Sequence, residues 1–250
     1  MHHFFVKPSQ IRGSEIIIEG SDVRHIRDVL RMKAGEELSV SNGTDRKEYR
    51  CGIREFRKDS ILCRLHFIKE ADVELPSRIY LFQGLPKGDK MELIVQKAVE
   101  LGVYEVIPVD TARSVVKLDA RKEKTKITRW QGIAEAAAKQ SRRGVIPRVR
   151  EVMSMEQAIA CAAEMEVRLI PYELAESMAC GIKETRQVIS SLRPGQSVAL
   201  FIGPEGGFEE GEVEAAMAAK IQPISLGRRI LRTETAGLAV LSWIMYQLEE

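Results

Sequence analysis

Two rhythms of apolar and polar positions run along the chain. Up to about residue 72 the apolar residues fall in short runs rich in β-branched and aromatic side chains: "FFV", "EIIIEG", "EELSVSNG", "EYRCGIREF" and "ILCRLHFIKE". Such runs predict strands, and Asn42-Gly43 between two of them is a tight-turn signal. Together they predict a small β-barrel. One segment breaks the pattern. "SDVRHIRDVLRMKAG" reads as a helix opened by Ser21 or Asp22 as cap and closed at Gly35. Val23, Ile26 and Leu30 form its apolar face, while Arg24, Arg27 and Arg31, at i, i+3 and i+7, share another.

After "ADVELPSR" strand patterns alternate with helix patterns to the end. "IYLFQGL" predicts a strand, and "GDKMELIVQKAVELG" a helix with Asp89 as cap, Glu92 as its capping-box partner and Gly102 as its stop. Then follow "YEVIPVD", a long basic helix near 122 to 141, "RVREV", "SMEQAIACAAE", "VRLIPYE", a helix near 177 to 191, "SVALFIG", "EEGEVEAAMAAK", "PISLG" and "TAGLAVLSWIMYQLE". This alternation implies an α/β class with a largely parallel sheet covered on both faces. The division falls between residues 72 and 73: 1–72 as the barrel and 73–250 as the α/β domain. The last helix is apolar nearly all round, through Leu238, Val240, Leu241, Trp243, Ile244, Met245 and Leu248. It must be buried on all sides, either within its own chain or at a subunit interface.

Composition adds bounds to this picture. At 250 residues with 44% hydrophobic and 30% charged content, the chain has the balance of a folded globular protein. No apolar run approaches the ~20 residues of a membrane span. No basic segment followed by an apolar run marks a secretory signal. Cys51, Cys63, Cys161 and Cys180 are scattered without a CxxC pair, which fits a reduced cytoplasm.

The net charge of +2 conceals a separation. Residues 111–150 hold 12 Lys and Arg against 3 Asp and Glu, whereas residues 151–225 hold 5 against 12. The basic block is the footprint expected where phosphates dock, or else a solvated helix face. The Arg24, Arg27 and Arg31 stripe has the same two readings.

Candidate chemistry gathers in two late stretches. "FIGPEGGFEEGEVEAA" takes a strand end through Gly203, Gly206 and Gly207 into an acidic helix start. A Walker loop requires a Lys and a hydroxyl after its last glycine, but Phe208, Glu209 and Glu210 follow here. The GxGxxG spacing also fails. What remains is a loop at the carboxyl end of a parallel strand, suited to an uncharged or cationic ligand such as S-adenosylmethionine, or a structural Gly-Pro turn. The second stretch, "LGRRILRTETAGLAVL", sets Arg228, Arg229, Arg232 and Glu234 before the apolar helix. Thr233 or Thr235 is its expected cap, and the three guanidiniums are expected to have partners, for which backbone phosphate or a substrate carbonyl would serve.

With "KGDKMELIVQKAVELGV" and "RWQGIAEAAAKQSRRGVIP" upstream, these motifs resemble the RsmE family, the 16S ribosomal RNA (uracil-1498-N3) methyltransferases of the SPOUT superfamily. The resemblance covers essentially the whole chain. It implies a PUA-like β-barrel for RNA, a SPOUT α/β domain with a carboxyl-terminal trefoil knot, and a homodimer. It also implies a cofactor pocket for S-adenosylmethionine formed by Tyr172, Glu173, Gly203, Pro204, Glu205, Gly206, Gly207, Leu226, Gly227, Ile230, Leu231 and Ala236. RNA contacts are expected from Lys87, Lys90, Arg129, Arg142, Arg143, Arg228 and Arg229, alongside Arg24, Arg27 and Arg31.

Methyl transfer to uracil N3 is an in-line displacement that needs no metal, so positioning and electrostatics carry it. N3 lies on the pairing edge, so the base must be unpaired and splayed into the site. Arg232 is the expected stabiliser of charge on the uracil oxygens. Glu234 either accepts the proton or fixes Arg232. The implied partner is 16S rRNA or the small ribosomal subunit. The rival readings are a related enzyme acting on another rRNA or tRNA position, and a non-catalytic ribosome-assembly protein that binds RNA.

Overall fold

The structure is a computed structural model, and it describes residues 1–70, 73–173 and 181–249. The chain divides into two compact units, Met1–Glu74 with Ala138–Ile146, and Leu75–Ala137 with Pro147–Glu250. The segment 138–146 returns to the first unit, which a single cut after residue 72 does not anticipate.

Among the described residues the first unit is built on six strands: β1 (His3–Phe5), β2 (Ile11–Arg12), β3 (Glu15–Glu19), β4 (Glu37–Ser41), β5 (Lys47–Phe56) and β6 (Ser60–Glu70). They pair in the order β1-β4-β5-β6-β3-β2, antiparallel except for β1 against β4. Strand β3 shows the cause: in Glu15-Ile16-Ile17-Ile18-Glu19 the even positions are buried and the charged ends are exposed. The sheet curls because β5 slips register against β6 twice, between Arg50 and Cys51 and between Ile53 and Glu55. Phe4, Ile16, Ile18, Ile26, Leu38, Val40, Cys51 and Ile61 fill its concave side.

The segment after β3 departs from expectation. Helix α1 covers only Ser21–Arg24, capped by Gly20 without a side-chain bond, and a π-turn follows over His25–Val29. Arg31 then takes a left-handed conformation, φ 53°. Arg24, Arg27 and Arg31 therefore do not form one stripe of a regular helix. The Arg27 guanidinium donates to the carbonyls of Arg57 (2.5 Å) and Lys58 (3.4 Å) and lies over the Phe56 ring.

Among the described residues the second unit holds seven strands: β7 (Arg78–Gly84), β8 (Glu105–Asp110), β9 (Arg148–Val149), β10 (Met153–Ser154), β11 (Val167–Pro171), β12 (Ser197–Ile202) and β13 (Gln222–Ile224). All pair in parallel, in the order β10-β8-β7-β12-β11-β13 with β9 beside β8. Strands β8 and β12 are continuous apolar runs buried on both faces, as a covered parallel sheet requires. Phe82 and Phe201 stack between adjacent strands, their centroids 4.5 Å apart.

Among the described residues six helices belong to this alternation: α2 (Lys90–Glu100), α3 (Ala120–Gln140), α4 (Met155–Ala162), α5 (Ile182–Ser190), α6 (Glu210–Ala218) and α7 (Thr233–Leu248). Helix α2 buries Met91, Ile94, Val95, Ala98 and Val99, the i, i+3, i+4, i+7, i+8 stripe, and it packs on α7. Asp89 precedes α2, but its side chain makes no capping bond; Glu92 instead engages Arg129 at 2.8 Å. The expected helix start near residue 177 and Cys180 lie outside the described residues.

Candidate active site

Strands β12, β11 and β13 are parallel neighbours, so the loops after them, at 203–207, 172–173 and 225–232, leave the same edge of the sheet. This is where ligands bind in open α/β sheets. The amide of Tyr172 donates to the carbonyl of Ile224 (3.1 Å), tying the second loop to the third. Ser225 is pinned by Thr185 of α5, whose hydroxyl donates to the Ser225 carbonyl (3.0 Å) and accepts from its amide (2.9 Å). The Ser225 hydroxyl accepts from the amide of Gly227, which sits at φ 94°.

The loop after β12 is shaped by close backbone approach. A Cβ on Gly84, at the end of β7, would lie 2.7 Å from Pro204 N, and one on Gly203 would meet Gly207 at 3.1 Å. The Gly207 amide closes the turn on the Pro204 carbonyl (2.9 Å), and its φ of 68° favours glycine. By contrast, a Cβ on Gly207 or Gly227 would meet nothing within 4 Å, so both main chains border open space. The Arg113 guanidinium, in the loop after β8, donates to the Gly206 carbonyl (2.9 Å).

A buried hydrogen-bond chain joins this loop to α7. Gln83, fully buried at the end of β7, donates from Nε2 to the Thr233 hydroxyl (2.9 Å) and to the Gly84 carbonyl (3.0 Å). The Thr233 hydroxyl in turn donates to the Gly203 carbonyl (2.6 Å). Thr233 is thus not a helix cap: Arg232 occupies that position, and the Thr233 side chain is spent on the glycine loop. Sequence reasoning missed Gln83 and Arg113. A polar residue closing the apolar run "IYLFQ" was the one signal for Gln83.

Charge is arranged around Lys90. Its ammonium lies 2.7 Å from Glu205 and 3.8 Å from Glu234, whose Oε2 is buried without a hydrogen-bond partner. The Lys87 amide also donates to Glu205 (3.1 Å). Burial works to raise the Glu205 carboxyl, but the Lys90 ammonium and the surrounding amides outweigh it and hold its pKa below the usual range. Lys90 is therefore committed to carboxylates and is not a free phosphate contact. The acids after the loop also have local roles: Glu209 and Glu212 form a capping box on α6, and Glu212 accepts from the Ala112 amide.

The expected RNA-binding residues separate into two groups. Arg143 is buried and bidentate on Glu74 (2.6 and 3.3 Å), within the first unit, so its placement does not fit a surface contact. Arg129 is engaged by Glu92. Arg228, Arg229 and Arg232 are exposed and make no ion pair among the described residues. Arg24, Arg31, Lys87 and Arg142 are likewise exposed. Of the expected cofactor residues, Ala236 is buried, Leu226, Leu231 and Tyr172 are half-buried, and Ile230 is 89% exposed.

Fold and site together define an α/β domain with a ligand-binding edge at the carboxyl ends of its parallel strands. An RNA methyltransferase domain matches residues 73–245, and an RNA methyltransferase PUA domain matches residues 18–65. The chain is 42% identical to ribosomal RNA small subunit methyltransferase E of Bacillus subtilis over all of its own length and 98% of that protein. To the protein of the same name from Aquifex aeolicus it is 30% identical, over 98% and 99% of the two chains. The Neisseria gonorrhoeae enzyme, solved bound to S-adenosyl methionine, superposes with a TM-score of 0.83 at 29% identity, covering 98% and 97%. A Legionella pneumophila methyltransferase with bound cofactor superposes at 0.82 and 32% identity, covering 98% and 96%. The chain belongs to the ribosomal RNA small subunit methyltransferase E family.

Proposed function

We propose that this chain transfers a methyl group from S-adenosylmethionine to N3 of one uridine, position 1498, in 16S rRNA of the small ribosomal subunit. The reading rests on membership of the family and on three loops at one edge of a parallel sheet. The residues present fit the cofactor in kind. Open space beside Gly207 and Gly227 offers main-chain groups to adenine and methionine, and Glu205 and Glu234 favour a cation over a phosphate. When bound, S-adenosylmethionine supplies an electrophilic methyl on a sulfonium.

The chain's own residues supply the rest. Tyr172, Glu173, 203–207, Leu226, Gly227, Ile230, Leu231 and Ala236 form the cofactor pocket in this reading. Arg232, exposed at the start of α7, steadies negative charge on the uracil oxygens as the N3 proton leaves. Glu234 takes that proton, since its Oε2 is buried, has no hydrogen-bond partner and lies one residue from Thr233. Arg24, Arg31, Lys87, Arg142, Arg228 and Arg229 are left exposed for phosphate.

A knotted passage of the carboxyl-terminal segment and a homodimer belong to the same reading, as does a cytoplasmic location. Helix α7 buries Val240, Leu241, Ile244 and Leu248 in its own unit. It leaves Trp243 and Met245 half-buried and Tyr246 84% exposed, an apolar second face for a partner copy. Among the described residues no helix is long and apolar enough to cross a membrane. Nucleoside mass spectrometry on small-subunit RNA from cells lacking this protein tests the proposal. N3-methyluridine is expected to vanish and to return with the gene, and its persistence would refute the assignment.

A further inference from the structure

We propose that the outward face of the curled sheet in the first unit holds one nucleotide of single-stranded RNA, with its phosphate on Arg64 and its base against His66. The inference rests on the reading of the chain as an RNA-modifying enzyme and adds a contact away from the reacting base. The site is an open concavity of about 480 Å³, within the 300–1,000 Å³ range of small-ligand clefts.

The site is made by strand register. Arg64 of β6 stands directly between Glu15 of β3 and Gly52 of β5, so the three form one row across the sheet. Gly52 contributes no side chain, and the His66 imidazole leans into the space: a Cβ there would fall 2.7 Å from His66 Nε2. The two register slips leave His66 unpaired on β6 and Arg54 unpaired on β5, so both bulged residues flank this point. The concavity is therefore floored by backbone and walled by Arg54, Arg64 and His66.

Charge decides what occupies it. Arg54 is held by Glu15 at 3.1 Å, whereas Arg64 and His66 have no hydrogen-bond or ion-pair partner among the described residues. One carboxylate against two guanidiniums leaves an uncompensated cation beside a planar ring. That pair matches a phosphodiester followed by an unstacked base, since single-stranded RNA is held by Arg on phosphate and by bases stacked on aromatic or imidazole faces. A free phosphate would use the cation and ignore the ring.

The test is fluorescence anisotropy of a labelled oligouridylate with the full-length chain across a salt series. Arg64→Ala with His66→Ala is expected to weaken binding roughly tenfold and to lower the salt slope by about 0.7, the loss of one single-strand phosphate contact. Glu15→Gln, which releases Arg54, is expected to tighten binding roughly twofold to threefold and to steepen the slope. Arg64, His66 and Glu15 are exposed, so these variants are expected to melt with the wild type. The proposal is overturned if the double variant matches the wild type in affinity and slope, or if inorganic phosphate displaces the oligonucleotide at equal concentration of phosphate groups. It is also overturned if the wild type ignores the oligouridylate while still methylating small subunits, an outcome that leaves the enzymatic reading intact.

Discussion

Gln83 and Thr233 stand 150 residues apart in the chain and meet at 2.9 Å, with the Thr233 hydroxyl passing the contact on to the Gly203 carbonyl at 2.6 Å. The end of β7, the loop after β12 and the first turn of α7 are thereby fixed to one another. Thr233→Val removes one of the two acceptors of the Gln83 amide and the hydroxyl donor of the Gly203 carbonyl, at about 1–3 kcal/mol for a buried polar group that loses its bond. Urea unfolding is expected to show that loss. Calorimetry with S-adenosylmethionine is expected to show about a tenfold weaker Kd, the equivalent of 1.4 kcal/mol. Thr233→Ser, which keeps the hydroxyl, is expected to retain both. Unchanged affinity in the Val variant would separate this contact from the cofactor site.

Gly84 makes a second constraint on the same loop. A Cβ there would sit 2.7 Å from backbone and ring atoms of Pro204, so Gly84→Ala must push the loop away. The expected outcome is a folded protein, destabilised by about 1–3 kcal/mol, whose affinity for S-adenosylmethionine falls more than that of Gly132→Ala. Gly132 on α3 has no atom within 4 Å of the corresponding position.

Arg143 and Glu74 form the most buried ion pair described, with side chains 4% and 6% exposed. Glu74 also accepts from the amides of Gly144 and Val145 (3.0 and 3.2 Å), so it anchors the returning segment 138–146. Glu74→Gln removes the carboxylate charge from beside a buried guanidinium, at about 3–5 kcal/mol. Denaturant midpoints are expected to fall accordingly. A loss under 1 kcal/mol would mean that the pair is solvated.

His3 sets a pH dependence. Burial, together with Lys139 and Arg142, lowers its pKa from the ordinary 6.5, outweighing the opposite pull of Glu48. The fold thus prefers neutral imidazole. Above 6.5 the group is neutral in both states and contributes nothing. As pH falls below 6.5 the unfolded chain takes up the proton first and stability declines until the folded pKa is reached. Urea midpoints are expected to drop between pH 7 and 5.5, and His3→Gln is expected to flatten that drop.

The alternation of strand and helix from residue 78 onward was legible because each element carries its own period. The glycine loop was legible because few loops need that spacing. The details that failed depend on partners distant in sequence. Helix α1 gives way to a π-turn and Arg27 turns to the carbonyls of Arg57 and Lys58, thirty residues on, which no local pattern encodes. Arg143 looks like its neighbour Arg142 in "QSRRG", yet one is buried on Glu74 and the other is exposed. Thr233 has the composition of a cap, but Gln83 and Gly203 claim its hydroxyl.

The most direct measurement is methyl transfer from isotopically labelled S-adenosylmethionine to small ribosomal subunits that lack the modification, read by digestion and mass spectrometry. The label is expected in N3-methyluridine from a single fragment around position 1498. Arg232→Ala and Glu234→Gln are each expected to lower the rate about 100-fold or more, the scale of an electrostatic stabiliser or a general base. Label in another nucleoside or another fragment, or full activity in both variants, would contradict the account.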